Sequence, residues 1–374
     1  MEGHHRMKKE LSPHQELEQF TDHMASLENQ WYNLRPILGY ANWALFYALI
    51  GGREAGKSYS VTDFFVSQYK RKGIPFIWLR LTEAQSRKLL QNNAEKLVDP
   101  DIRRRWELDL TTSGNNVYEV TRRSAPDKNG KTKILEKKLM ARVYALSTFY
   151  KDKGSIFDKD FLKDGKMWYN IGCDEFEREK GEKNTFDILY ALVNQLENLV
   201  RSTKDHIRVF FLGNTLEEAS DILCAFNFIP QEFGIFKLKS KRCVIHNIAP
   251  TDAYKERRKG TIADILMPSA STFTNKIDSD TTLIVTKRLC EPQYVIKYTK
   301  DKADWFTVWD DGVICKWNGE KKRVVAMRPY LDELYDVDRV KRVMTLFDTR
   351  CFHFRNLITF KQFQKQLELL KPRS

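Results

Sequence analysis

The residues best suited to chemistry lie at Gly51-Gly52-Arg53-Glu54-Ala55-Gly56-Lys57-Ser58, a glycine, four residues and then Gly-Lys-Ser, directly after the apolar run Leu45 to Ile50. Glycines let backbone N–H groups turn inward on phosphate oxygens. A lysine at this spacing sets a compact positive charge beside the outer phosphates of a nucleotide, and the serine hydroxyl can ligate Mg²⁺. An eight-residue pattern can arise by chance, so its surroundings matter. The aromatic and aliphatic stretch 41–50 predicts a buried parallel strand with its approach, and the segment opening at Tyr59 continues as a helix to about Lys70. Strand, loop and helix in that order make Gly51 to Tyr59 a candidate phosphate-binding set, with Ser58 also a candidate metal ligand.

A second stretch, Trp168-Tyr169-Asn170-Ile171-Gly172-Cys173-Asp174-Glu175, reads as a strand that ends on two adjacent carboxylates. An acid at a strand end can hold Mg²⁺ through water, and an acid beside it can orient and deprotonate an attacking water. Such pairs are common alone. This one follows a good phosphate loop by about 115 residues with further strands between, which is the order of a P-loop class with an extra strand and a glutamate next to the Walker B aspartate. Asp174 is then the metal-side acid and Glu175 the base. The apolar run Ile207 to Leu212 predicts another strand, finishing at Gly213-Asn214; Asn214 is either a γ-phosphate sensor or an ordinary turn residue.

These residues need a scaffold, and 374 residues suffice for a sizeable core and two domains. Lys and Arg number 63 against 50 Asp and Glu, and the net charge of +13 favours a polyanionic partner such as nucleic acid, although a merely basic protein has the same balance. The six cysteines form no Cys-x-x-Cys pair, which argues against zinc and against a disulfide framework. The N-terminus has no apolar signal core and no stretch approaches 18 apolar residues, so neither secretion nor a membrane span is expected.

Taken in order, Ser12-Pro13 predicts a helix start, and Leu17, Phe20, Met24, Leu27, Trp31 and Leu34 form one apolar seam, to be buried on the domain body or on a neighbouring subunit. Ile74 to Leu81 predicts the strand that completes a βαβ unit. Residues 83–106 read as helical, Asn116 to Arg123 as a strand, Lys128 to Lys138 as a lysine-rich turn, and Arg142 to Leu146 as a short strand. Ile188 to Val200 predicts a helix ending at Arg201. A stretch rich in Ser, Thr and Asp suggests a linker over 250–282. Beyond it, Gln293 to Thr299, Trp305 to Asp310 and Val313 to Trp317 suggest a meander, and Asp332 to Phe347 and Thr359 to Lys371 two helices. The expected organisation is a 1–40 extension, a 41–249 P-loop ATPase domain, the linker, and a 283–374 binding domain.

With both motifs placed, the chain resembles the DNA-packaging ATPases of φ29-type bacteriophages, small relatives of the terminase large subunits. Leu49 to Arg53 leading into Gly56 to Tyr59, Ala145-Leu146-Ser147 ahead of the Lys153 loop, and Asp174-Glu175-Phe176-Glu177-Arg178-Glu179-Lys180 carry the resemblance, with weaker similarity at Val200-Arg201, Gly213-Asn214, 256–259 and 305–317. It implies an α/β fold: an ASCE-type P-loop ATPase domain with a central, mostly parallel sheet, followed by a small α/β RNase H-like domain that has lost nuclease activity. It implies ATP and Mg²⁺ bound through Lys57, Ser58 and Asp174, with Glu175 as catalytic base. Arg201 falls where the family has a trans-acting arginine finger, although a helix-capping arginine fits the same position, and Lys153, with Lys151 close by, matches a loop lysine that reaches toward a neighbour's nucleotide. Arg178, Lys180 and Lys183 are candidate pore contacts to DNA phosphates, against the alternative of a solvated charged turn. Further implications are a homo-oligomeric ring, a pentamer by resemblance, acting on double-stranded DNA at a procapsid portal, with a packaging RNA as a further partner, in the cytoplasm of an infected bacterium. Glu54 departs from the family, whose members carry a small residue there; a carboxylate would repel triphosphate unless it points away. A terminase with active nuclease, and a nucleotide-gated ring scaffold that does no work on DNA, are the competing functions. Asp304, Asp310 and Asp311 are the acids clustered near the C-terminal strands.

Overall fold

The computed structural model describes residues 31–154, 168–176, 186–200, 206–214, 220–230, 232–266, 283–285, 288–310, 312–333 and 335–370. Helix α1 (Arg35–Tyr40) precedes strand β1 (Phe46–Ile50), which is buried from its second residue onward, as a run of large apolar side chains requires. Parallel to β1 on its two sides run β7 (Ile207–Gly213) and β9 (Cys243–Asn247). With β2 (Phe76–Arg80), β3 (Leu110–Ser113), β4 (Asn116–Arg123), β5 (Ile134–Ala145), β6 (Tyr169–Asp174) and β8 (Gly234–Leu238), they build a nine-stranded sheet in the order β3-β4-β5-β2-β6-β7-β1-β9-β8. From β5 to β9 every neighbouring pair is parallel, so the carboxyl ends of these strands share one edge. The mixed α/β fold with a largely parallel sheet agrees with expectation, and β7 is the extra strand between the phosphate-loop strand and the acidic one.

Helix α2 (Lys57–Lys72) follows the loop and stops at Gly73, whose left-handed φ of 70° closes the helix. It is held on the sheet by aromatic contacts: the Phe65 ring lies 5.2 Å from Phe76, 5.3 Å from Phe210 and 5.9 Å from Trp78. Tilted and edge-on rings of this kind add to the area they bury. Trp78 also explains Gly172 in β6, where a Cβ would come within 2.7 Å of the buried indole. Gly172→Ala is therefore expected to cost about 1–3 kcal/mol through overpacking, measurable as a lowered denaturant midpoint.

Several elements differ from the sequence expectation. The 83–106 segment is two helices, α3 (Glu83–Ala94) and α4 (Pro100–Arg105); Asn92 and Asn93 take left-handed φ values of 51° and 57°, and Asp99-Pro100 starts the second helix. The lysine-rich stretch turns at 128–130 as expected, but its second half is strand: β5 runs from Ile134 and pairs antiparallel with β4, its outer half exposed on both faces and so lacking alternation. Strands β8 and β9 lie in a stretch for which the sequence pattern predicts no strand. Of the N-terminal seam, Leu17, Phe20, Met24 and Leu27 lie outside the described residues; 31–34 are not helical, because the Tyr32 N–H donates to the Ala55 carbonyl at 2.9 Å instead. After α5 (Ile188–Val200) and α6 (Asp221–Ala225), the expected linker begins with α7 (Asp252–Arg258) and α8 (Ile262–Leu266).

The chain divides into two compact units, 1–217 with 230–277 and 218–229 with 278–374. The second has a five-stranded sheet in the order β13-β10-β11-β12-β14, from β10 (Pro292–Lys297), β11 (Trp305–Trp309), β12 (Val313–Lys316), β13 (Arg323–Ala326) and β14 (His353–Phe354). The first three form the antiparallel meander; β13 runs parallel to β10 and β14 parallel to β12. Helix α9 (Val337–Asp348) starts later than the Asp332 to Phe347 pattern suggested, α10 (Leu357–Glu368) starts before Thr359 and ends before Lys371, and Phe363 of α10 is fully buried among Tyr298, Phe306, Phe352 and Phe354. Among the described residues no helix is long and apolar enough to cross a membrane.

Candidate active site

At the shared carboxyl edge β1 delivers the phosphate loop, β6 the acid pair, β7 Gly213-Asn214 and β2 Arg80. Gly56 caps α2 with a left-handed φ of 91°, which leaves the first N–H groups of a 16-residue helix facing the loop. Lys57 is buried and folds back, its Nζ donating to the carbonyls of Gly51 at 2.7 Å and Gly52 at 2.8 Å. Burial pushes its ammonium down to about 8, against the pull of Asp174. The charge is thus held in the loop and is still present at neutral pH.

The two motifs meet. Ser58 Oγ lies 3.2 Å from Asp174 Oδ1 although 116 residues separate them, and the Glu175 N–H donates to the same Oδ1 at 3.1 Å. Glu175 takes a left-handed φ of 53°, and its N–H also points to the Leu212 carbonyl of β7 at 2.8 Å, while the Gly51 N–H donates to the next carbonyl, Gly213, at 3.3 Å. Burial raises the Asp174 carboxyl above its ordinary value, Arg80 pulls it back down and the Glu175 charge adds to the rise. A hydroxyl and a carboxylate at this spacing, both hard oxygen donors, fit Mg²⁺, and the loop N–H groups with a buried ammonium fit a polyphosphate.

Arg80 is the residue that the sequence did not announce. Its guanidinium bridges the acid pair, 2.9 Å from Asp174 Oδ2 and 2.5 Å from Glu175 Oε2. An arginine ending an apolar strand carries no signal of its own; only the register, which sets β2 beside β6, brings it here. Beside the loop lies a small hollow lined by Trp31, Tyr32, Ala55, Ile248, Pro250 and Tyr254, equally illegible in advance.

Of the other expected site residues, Tyr59 turns its phenol to Asp101 at 2.6 Å and Arg105 at 2.7 Å, so it can offer phosphate only its backbone. Arg53 and Glu54 are exposed, and Glu54 pairs with Arg258 rather than facing the loop interior. Asn214 is half-buried at the tip of β7. Lys153 is exposed just after the turn Leu146–Asp152, while Lys151 pairs with Glu83 at 3.5 Å. Arg201, Arg178, Lys180 and Lys183 lie outside the described residues, as does Asp311. Asp304 and Asp310 are neighbours in sequence but stand at the two ends of β11, roughly 20 Å apart at strand rise. Each is engaged locally: Asp304 with Thr299 and Gln366, Asp310 with the N–H groups of Cys290 and Glu291.

No family model matches the chain. It is 22% identical over 272 residues to the DNA packaging protein of Bacillus phage phi29, an alignment covering 71% of each. Among solved structures it matches the viral genome packaging motor assembly of bacteriophage Phi-29 with a TM-score of 0.59 at 17% identity, over 92% of this chain and 100% of that one. It has the fold of the phi29 packaging motor protein. The DNA packaging motor of Phi-28 agrees, with a TM-score of 0.61 at 13% identity over 92% of this chain and 99% of that one. The resemblance read from the phosphate loop and the acid pair therefore holds for sequence and for fold.

His246 of β9, near the loop, offers a test of the packing that surrounds the phi29-like core. The Tyr32 hydroxyl meets its Nδ1 at 3.2 Å, and burial pushes the ring down to about 3. A histidine that protonates near 6.5 when unfolded and near 3 when folded contributes stability present above about pH 6.5 and lost as pH falls below it, about 2 kcal/mol between pH 6.5 and 5. His246→Asn is expected to flatten that part of the stability profile, read from urea midpoints across the range.

Proposed function

We propose that this chain is an ATP-driven viral genome packaging motor, an ASCE-type ATPase that moves double-stranded DNA into a procapsid as a homo-oligomeric ring. The observation that carries the reading is the meeting of Ser58 with Asp174, and of Glu175 beside them, at the edge where β1 and β6 end on either side of β7. The relatives named DNA packaging protein and packaging motor support it.

ATP would enter with its phosphates against the loop N–H groups and its base toward the hollow at Trp31 and Tyr254. Lys57 would exchange its two carbonyl partners for β- and γ-phosphate oxygens. Mg²⁺, held by Ser58 with Asp174 behind it, would neutralise phosphate charge. Glu175 would then deprotonate a water aimed at the γ-phosphate. While Arg80 grips it, the Glu175 carboxylate is occupied by a guanidinium and is not free to meet a water, so turnover requires Arg80 to let it go. Asn214 stands where it could report the γ-phosphate. Arg201 and Lys153 from a neighbouring subunit would complete charge stabilisation, and Arg178, Lys180 and Lys183 would touch DNA phosphates in the bore, so binding would be salt-sensitive and indifferent to sequence. A meander whose first strand has a parallel neighbour, β12-β11-β10-β13, supports an RNase H-like second domain, and the separation of Asp304 from Asp310 supports its use in binding portal or RNA rather than in cutting.

The decisive experiment is ATP turnover of the purified full chain with and without duplex DNA, paired with electron microscopy in a non-hydrolysable ATP analogue. DNA-stimulated turnover and a ring with duplex in its bore are expected. A ring whose turnover ignores DNA would favour a nucleotide-gated scaffold, and mixed rings in which Arg201→Ala subunits gain nothing from wild-type neighbours would defeat trans action.

A further inference from the structure

The loop carries a negative side chain, Glu54, at a position where triphosphate must approach, and its backbone sits in the left-handed region with φ 61°. A non-glycine residue there is strained unless something holds it. Helix α7 does the holding. Arg258 pairs with Glu54 Oε2 at 2.5 Å, and its side chain is only 13% exposed where that of Glu54 is 67% exposed. The neighbouring residues of the helix grip the backbone of the same loop: Arg257 Nη2 donates to the Glu54 carbonyl and the Tyr254 hydroxyl to the Arg53 carbonyl, both at 2.9 Å. Arg257 also stacks over Trp31, 3.8 Å from the ring centroid. Thr251 caps the helix, its Oγ1 accepting from the Tyr254 N–H, so the cations are presented from a fixed platform.

We propose that Arg258 is a positioning residue for the phosphate loop, holding the Glu54 carboxylate against α7 and away from the incoming triphosphate, so that ATP affinity depends on this ion pair. The inference rests on the proposed ATP site. It separates two functions in one helix: Tyr254 and Arg257 fix the course of the loop, and Arg258 removes its unwanted charge. Without Arg258 the carboxylate is released from its partner a few residues from Lys57, where it can compete for the lysine and repel phosphate.

The test is the affinity of the full chain for a non-hydrolysable ATP analogue with Mg²⁺, by calorimetry, together with KM and kcat for ATP. Arg258→Gln is expected to raise Kd and KM about tenfold, a size set by the exposure of Glu54, with kcat at saturation within about twofold. Adding Glu54→Gln to that variant is expected to bring Kd back to within about threefold of wild type, and Arg258→Lys, which keeps a cation, to stay within the same range. Loss of packing alone would not be repaired by neutralising Glu54. An unchanged Kd in Arg258→Gln, a defect that persists in the double variant, or a tenfold loss in Arg258→Lys overturns the proposal. If wild type itself fails to bind the analogue, or binds it no better than Lys57→Ala, it is the ATP site that fails instead.

Discussion

Glu175→Gln is expected to lower ATP turnover by about 10²- to 10⁴-fold, the range for removing a positioned general base. The amide keeps the size of the side chain but cannot take a proton. Because Glu175 reaches the site through its carboxylate while Lys57 and Ser58 form the loop, nucleotide affinity should stay within a few-fold of wild type. The backbone geometry should also survive, since the N–H bond to Leu212 does not involve the side chain. Single-turnover kinetics alongside calorimetry separates the two quantities. Near-normal turnover in this variant would remove the assigned chemistry.

Lys57→Ala should fail in the complementary way. The ammonium is buried, and in this state it satisfies the carbonyls of Gly51 and Gly52. Its removal takes away the proposed charge-assisted contact to the outer phosphates, the donor to the Gly51 carbonyl and the shorter of two donors to the Gly52 carbonyl, which keeps the Ala55 N–H at 3.4 Å. Loss of one preorganised donor to transition-state charge costs about 10²- to 10³-fold in kcat, and ATP affinity should fall as well. The pair of variants therefore gives a crossed signature, one binding without turnover and one impaired in both. Retained affinity in Lys57→Ala would mean that the loop does not grip phosphate through this side chain.

The phosphate loop and the acid pair were legible in the sequence because each is a local pattern at a strand end, and the apolar strands before them fixed which edge they share. Arg80 was not, since its importance arises from strand order, a long-range property. The fate of Glu54 was equally hidden: its partner lies 204 residues away, on a helix inside a stretch whose composition suggested a linker. The outer part of strand β5, ahead of the Arg142 to Leu146 run, is hidden for a different reason. Its first residues are exposed on both faces, so the two-residue alternation that betrays a half-buried strand is absent until Met140. The Asn92-Asn93 break shows the limit of periodicity, because helical spacing can continue in the side chains across residues whose backbone has left the helix. In the second domain the meander was readable from its aromatic runs, but the two-residue strand β14 was too short to leave a pattern.

Strand β7 has a further consequence through its last two carbonyls, one receiving the Glu175 amide and the other the Gly51 amide. Two consecutive peptide units thereby gauge the span from the proposed cradle of the nucleotide to the residue proposed to prime water. Any slip or tilt of this strand would displace both partners together, so affinity and speed cannot be tuned independently at that point. Drift in such a motor should then accumulate elsewhere, on the flanking helices and outer strands, while the width of the central gap stays constant.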